Sequence, residues 1–320
     1  MAAPDFRAPR WLANPHLQTI YGSVLAKKPA VAYRRERWET PDGDFVDTDH
    51  VDARPDAPWV VLFHGLEGSS DSAYARTLMH KVKARGWRGT VVNFRGCSGE
   101  PNRLPRAYHS GDSAEVNWIL RRLDPLRNGA PLYAAGVSLG GNALLKWLGE
   151  AGEDAVPIVS RAAAVSAPVD LMAAGEALGR GFSLNYARHF LATMKSRAEA
   201  KHRRFPGSFD LERMRRSKTL REFDDVVTAP LHGYRDTDDY WTRASAKPLL
   251  ANVAVPTLLL NAADDPFLPR DALPEAHEVS PAVRREFPET GGHVAFVAGR
   301  FPGHIDWLPD RLLHFFDHQE

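Results

Sequence analysis

The chain has 320 residues, with 41 Lys and Arg set against 40 Asp and Glu and a single cysteine, Cys97. The near-neutral balance argues against a dedicated nucleic-acid surface, which carries a strong basic excess. One cysteine excludes an internal disulfide framework and suits a reducing compartment.

That length fits one core domain with an insertion, large enough to be held by apolar burial without a disulfide or metal staple. The opening residues, MAAPDFRAPRWLANPHLQ, hold two arginines but no apolar run of signal-peptide length. No stretch reaches the roughly 18 uncharged apolar residues of a membrane span. We therefore expect a cytoplasmic protein without a transmembrane segment.

In chain order, Tyr33–Glu39 and Phe45–Val51 read as two strands around the turn Pro41-Asp42-Gly43, an antiparallel start to a sheet. Trp59–Phe63 is a continuous apolar run, as a strand buried on both faces would be. Ser72–Arg85 has helical spacing at Leu78, Met79 and Val82, stopped by Gly86. Thr90–Phe94 is the next strand. Asp112 followed by Glu115 resembles a capping box opening a helix that turns Val116, Ile119, Leu120 and Leu123 inward. Leu132–Val137 is a strand, Gly141–Leu148 a helix and Ala162–Ala167 a strand. Thr257–Ala262 and the weaker Val283–Phe287 resume the strand pattern, and Trp307–His318 is a closing helix. Alternating strands and helices predict an α/β fold with a mostly parallel central sheet and helices on both faces.

The stretch 172–250 has no strand pattern and reads as an inserted helical lid. The core is then 1–171 and 251–320, with an N-terminal arm over 1–30. Lys and Arg outnumber Asp and Glu by 15 to 10 between residues 175 and 247. Such an excess would suit an anionic substrate or peripheral contact with a membrane surface. A solvated helix face explains it more simply, and is the reading adopted.

Gly136-Val137-Ser138-Leu139-Gly140 is a G-x-S-x-G pentapeptide lying between a predicted strand and a predicted helix, which is the setting of a nucleophile elbow. The glycines two residues either side remove Cβ atoms that would clash in so tight a turn. A serine hydroxyl needs a base, and the base an orienting carboxylate. On such an elbow the acid and then the base follow the serine along the chain. Asp264 and Asp265 follow the Thr257–Ala262 strand, and both are candidates. His293, between two glycines and Val294, is the expected base. His304 lies beyond a further Pro302-Gly303 break, and His109 precedes the serine.

The developing oxyanion needs two fixed donors. We assign the N–H of Leu139, next to the nucleophile, and that of Leu66 in the loop His64–Gly68, with His64 shaping the loop. No zinc-type spacing, P-loop or dinucleotide motif is present, so no cofactor or metal is implied. Aspartate at the elbow would point to epoxide hydrolase or dehalogenase chemistry; serine excludes both.

With these residues placed, the chain resembles the YheT-like branch of the α/β-hydrolases, related to the eukaryotic abhydrolase-domain phospholipases. The matching stretches are Trp11–Ile20, Phe63–Gly68, Asn93–Gly99, Tyr108–Asp112, the elbow, Asp264–Phe267 and Gly291–His293. Resemblance of the turn Asp265–Pro269 to the Asp-x-x-x-Pro turn common after the corresponding strand in the α/β-hydrolase superfamily selects Asp265, and the likeness to the YheT-like branch carries the rest. That likeness implies hydrolysis of short- or medium-chain acyl esters, acylglycerol-like, in a small-molecule pocket. Phe182, Leu184, Tyr186, Phe190 and Leu191 read equally as an acyl pocket or as the lid's own core. A serine peptidase or thioesterase could use the same triad, and a hydrolase-fold binding protein could lack turnover altogether. Trp11–Ile20 reads equally as a packing arm or a substrate contact, and nothing in the sequence sets the oligomeric state.

Overall fold

Five consecutive apolar side chains at Trp59–Phe63 leave no face for water. In the computed structural model this strand lies buried in an eight-stranded sheet. The structure describes residues 6–318, so residues 1–5 of the expected arm and 319–320 of the core lie outside the described residues. The strands are β1 (Arg34–Glu39), β2 (Phe45–Val51), β3 (Trp59–Phe63), β4 (Arg88–Asn93), β5 (Leu132–Val137), β6 (Arg161–Val165), β7 (Thr257–Leu260) and β8 (Val283–Glu286). Their order is β1-β2-β4-β3-β5-β6-β7-β8. β1 and β2 pair antiparallel, as do β2 and β4; every pairing from β4 to β8 is parallel.

The pleat of β3 divides the core. Trp59, Val61 and Phe63 join the apolar layer under helices α3 (Ser113–Leu123) and α4 (Leu139–Ala151). Val60 and Leu62 join the opposite layer with α2 (Ala73–Ala84) and the closing helix α11 (Trp307–Asp317). After α1 (Pro15–Ile20) the chain makes one π-helical turn, Tyr21–Leu25, and then runs without regular secondary structure to β1.

β2 reads Phe-Val-Asp-Thr-Asp-His-Val and yet is buried throughout. Its acids are matched across the strand pair: Arg35 lies opposite Asp49 and Arg37 opposite Asp47. Both pairs are two-pronged, at 2.8 Å twice for Arg35–Asp49 and 2.8 and 2.9 Å for Arg37–Asp47.

The expected capping box at Asp112 is absent. Asp112 makes no side-chain cap bond to α3; its carboxylate accepts from Arg106 at 2.6 Å. Glu115 instead accepts from Arg95 Nε at 2.6 Å. A guanidinium outcompeted the helix amide for each acid, half-buried Arg106 at Asp112 and buried Arg95 at Glu115. Arg95 also reaches Asp42 at 2.9 Å and Asp44 at 3.3 Å. One buried guanidinium thus ties the loop after β4 to the β1–β2 turn and to α3.

Between β6 and β7 the described residues form helices only: α5 (Leu171–Leu178), α6 (Leu184–Arg204), α7 (Leu211–Arg216), α8 (Leu220–Phe223), α9 (Ala229–Leu231) and α10 (Thr237–Ala244). They enclose their own apolar cluster, including Leu191, Met214, Phe223 and Trp241. The last part, around Ala246 and Leu250, instead packs into the main core. Half-buried Asp224, in the turn after α8, points its carboxylate inward to accept from Trp241 Nε1 at 2.9 Å and from Thr228 Oγ1. Burial pushes this carboxyl up from 3.8 to about 6.

Two stability predictions arise here. Arg95→Met strands Asp44 and Glu115 without their cation, so the urea midpoint should fall by the equivalent of about 3–5 kcal/mol at unchanged slope. A loss under about 1 kcal/mol would contradict this. For Asp224, the folded value lies above the ordinary one. Its contribution is therefore whole below about pH 4 and lost as pH rises through about 6. Asp224→Asn cannot ionise, so its thermal midpoint relative to the parent should rise between pH 4.5 and 7; a constant difference would contradict the assignment.

Candidate active site

The elbow starts from the close approach of β5 and α4. A Cβ on Gly136 would lie 2.5 Å from the Gly140 carbonyl oxygen, and one on Gly140 would lie 2.4 Å from the Phe63 carbonyl oxygen. Only glycine fits at either position. Between them Ser138 adopts φ +51° and ψ −121°, a conformation costing of order 1–3 kcal/mol for a residue with a side chain. Its N–H donates to the Val165 carbonyl at 2.8 Å, and its own carbonyl accepts the N–H groups of Gly141 and Asn142. The turn is thereby locked to β6 and to the first turn of α4.

Three side chains far apart in sequence meet here. His293 Nε2 lies 3.0 Å from Ser138 Oγ. His293 Nδ1 lies 2.9 Å from Asp265 Oδ2 and 3.1 Å from Oδ1. The carboxylate accepts from Nδ1–H, which fixes the tautomer and leaves Nε2 free to accept the serine proton. The Asp265 side chain is fully buried and also accepts the Phe267 N–H at 2.8 Å. The Phe267 ring stacks on the imidazole at 3.9 Å between centroids, 13° from parallel. That aromatic shelf lay within the quoted Asp-Pro-Phe turn, but its role is visible only once the loop meets His293.

Asp264 takes a different place. It accepts the Gly292 N–H at 3.0 Å and does not reach the imidazole; burial raises its carboxyl above the usual range. The two neighbouring acids thus divide, one shaping the histidine loop and one facing the ring. His64 is wholly buried and bonded at both nitrogens, to the Gly65 carbonyl at 2.7 Å and the Phe94 N–H at 3.0 Å. Burial lowers its imidazole to about 4, so it is neutral and shapes the loop. His109 accepts from the Gly111 N–H and lies against His232, and His304 pairs with Asp306.

The loop after β3 runs directly beside the elbow: a Cβ on Gly65 would lie 3.1 Å from Ser138 Cβ. Its neighbouring amides are taken, Gly65 N–H by Tyr74 Oη at 2.9 Å and Glu67 N–H by Tyr108 Oη at 2.8 Å. Among the described residues the N–H groups of Leu66 and Leu139 meet no acceptor. Both residues line the same cavity as Ser138 and His293, which has a volume of about 910 Å³.

The far wall of that cavity comes from the helices between β6 and β7. Of the five side chains read as acyl pocket or lid core, only Tyr186 and Phe190 line it. Phe182 is 51% exposed, and Leu191 and Leu184 pack within those helices' own cluster. The apolar wall is built instead by Leu171, Leu178, Met194, Phe223 and Val227. Helical periodicity marks which side chains leave water but not whether they face a core or a cavity, and the structure divides the five between the two. Among the described residues no three His, Cys, Asp or Glu side chains gather as metal ligands would, and no helix is long and apolar enough to cross a membrane.

Comparison with known proteins follows this geometry. A family model described as the alpha/beta hydrolase fold matches residues 58–299. YheT of Escherichia coli (strain K12) is 40% identical over 316 residues, spanning 97% of this chain and 92% of that protein. Phospholipase ABHD3 of Mus musculus is 34% identical over 316 residues, spanning 96% of this chain and 76% of its own. Monoacylglycerol lipase of Saccharomyces cerevisiae is 26% identical over 282 residues, spanning 83% and 60%. Among solved structures, an esterase from Pyrococcus furiosus has a TM-score of 0.58 at 15% identity, covering 99% of this chain and 97% of that one, a likeness of fold. The chain belongs to the α/β-hydrolase fold family, in the branch that includes YheT.

Proposed function

We propose that the protein is a serine hydrolase that cleaves carboxylic esters through an acyl-enzyme, with Ser138 as nucleophile, His293 as general base and acid, and Asp265 as its orienting carboxylate. The observation that carries this reading is the unbroken line from Asp265 through Nδ1 and Nε2 to Ser138 Oγ, with links of 2.9 and 3.0 Å. A base within hydrogen-bond reach of the proton it removes is the first requirement of such chemistry. The names of two relatives, a phospholipase and a monoacylglycerol lipase, agree with ester hydrolysis.

Ser138 Oγ attacks the ester carbonyl carbon as His293 Nε2 takes its proton, and Asp265 steadies the imidazolium. The carbonyl oxygen becomes an oxyanion held by the N–H groups of Leu66 and Leu139. Collapse breaks the ester C–O bond; His293 returns its proton to the departing alcohol, leaving Ser138 acylated. Water then enters, gives its proton to His293 and attacks the acyl carbon; the acyl C–Oγ bond breaks as His293 returns that proton to Ser138 Oγ, and the acid leaves. We read residues 172–250 as a lid over this site, its apolar wall taking the acyl chain. A cavity of about 910 Å³ is ample for a short or medium chain.

Turnover of p-nitrophenyl esters of graded chain length, with matched anilide and thioester substrates, tests the class of reaction. Esters should be preferred; a preference for the anilide would make the protein a peptidase. Ser138→Ala should lower kcat by roughly 10⁴-fold or more and abolish fluorophosphonate labelling. Asp265→Asn should lower kcat by about 10³–10⁴-fold, whereas Asp264→Asn, whose carboxylate holds the Gly292 N–H and not the ring, should cost about tenfold or less. Equal losses at the two acids would remove the role given to Asp265.

A further inference from the structure

The histidine loop is held by its backbone, and each hold comes from a different part of the chain. Three successive amides end on side chains: Gly292 N–H on Asp264 at 3.0 Å, His293 N–H on Thr19 Oγ1 at 2.9 Å, and Val294 N–H on Ser166 Oγ at 3.0 Å. Asp264 follows β7, Ser166 follows β6, and Thr19 lies on α1 of the N-terminal segment. The bond to His293 itself is the one supplied from outside the sheet.

Thr19 suits that place because a hydroxyl both donates and accepts. Its proton goes to the Pro15 carbonyl one helical turn back, at 2.8 Å, which aims a lone pair at the His293 N–H. Helix α1 has only six residues and would not persist alone in water. It is fixed by its neighbour Gln18, which has no exposed surface. The Gln18 amide donates to the carbonyls of Leu12 and Val297 at 3.1 Å each, and accepts the Val297 N–H at 2.9 Å. Both backbone groups of Val297 are thus paired by one side chain, as a neighbouring strand would pair them.

The contact leaves no slack. A Cβ on Gly292, which has φ +61°, would lie 2.7 Å from the Pro15 carbonyl oxygen, 2.8 Å from Thr19 Oγ1 and 2.9 Å from Gln18 Cβ. One on Gly22 would lie 2.5 Å from Ala295 Cβ. Val294 and Phe296 stand at φ +67° and +41°, conformations that side-chain-bearing residues keep only when their surroundings hold them.

From these contacts we infer that the N-terminal segment Leu12–Gly22 is the positioning element of His293, acting through the Thr19 hydroxyl on the histidine's own N–H. This rests on the role proposed for His293. Thr19 is a positioning residue: it lines the cavity beside Tyr186, and its hydroxyl bonds the His293 N–H and the Pro15 carbonyl, not the imidazole ring or the serine oxygen. It sets where the ring sits relative to a nucleophile 3.0 Å away. Displacement of such a group by about 1 Å is enough to cost about 100-fold in rate.

The test compares Thr19→Val, which keeps the shape and loses the hydroxyl, with Thr19→Ser, which keeps the hydroxyl. The readouts are steady-state hydrolysis of p-nitrophenyl butyrate and thermal unfolding. T19V should lower kcat by about 10- to 100-fold with KM within about twofold, while its thermal midpoint falls by only about 2–4 °C, as loss of one hydrogen bond would give. T19S should recover most of kcat. Should the added methyl of valine beside Gly292 prevent folding, Thr19→Ala removes the hydroxyl without it and carries the same expectation. A folded T19V or T19A with the parent's kcat overturns the inference, and so does a T19S as slow as T19V. Turnover by the parent that survives Ser138→Ala would remove the triad reading and this inference with it. Turnover that requires Ser138 but is indifferent to the Thr19 hydroxyl would remove this inference alone.

Discussion

A serine held at φ +51° between a buried strand and a helix is the constraint around which the surrounding residues are arranged. The turn is affordable only because Gly136 and Gly140 carry no Cβ where the backbone of the elbow meets itself and the end of β3. It holds its shape because Ser138 N–H is tied to β6 and its carbonyl to the first turn of α4. Strain at this one residue places the hydroxyl at the carboxyl edge of the parallel strands, where loops from β3, β6 and β7 all emerge. Open parallel sheets gather their ligand sites at that edge for the same reason.

The partners of the serine are held by backbone as much as by side chains. Asp264 and Asp265, adjacent in sequence, face different tasks: one grips the Gly292 N–H and the other the imidazole. The loop after β3 has its Gly65 and Glu67 amides committed to Tyr74 and Tyr108, with the Leu66 amide between them lining the cavity. Buried polar groups of this kind cost free energy when left unpaired, so each satisfied bond also removes an alternative loop conformation. The same logic runs through Arg95, whose guanidinium joins three acids from two other elements.

Much of this was legible before any coordinates. The apolar run Trp59–Phe63, the G-x-S-x-G between strand and helix, and the absence of strand patterning from 172 to 250 each express a local rule with a single outcome. Where a residue had two competing partners the local rule failed. Asp112 and Glu115 have capping-box spacing, but two arginines, half-buried Arg106 and buried Arg95, claimed their carboxylates. The pattern over 182–191 leaves apolar side chains open to either a helical core or a cavity wall, and only the fold divides them. The contribution of Thr19 and Gln18 was out of reach for a different reason: their partners, His293 and Val297, lie more than 270 residues along the chain, and no spacing rule spans that distance.

A crystal structure of the protein after reaction with a p-nitrophenyl alkylphosphonate would examine the proposed nucleophile, base, oxyanion donors and acyl cavity together. The expected adduct has phosphorus on Ser138 Oγ and its phosphoryl oxygen about 2.7–3.1 Å from the N–H groups of Leu66 and Leu139. Its alkyl chain should run toward Phe190, Met194 and Phe223. An adduct on another residue, or one whose phosphoryl oxygen turns away from both amides while the alkyl chain lies in solvent, would contradict the mechanism.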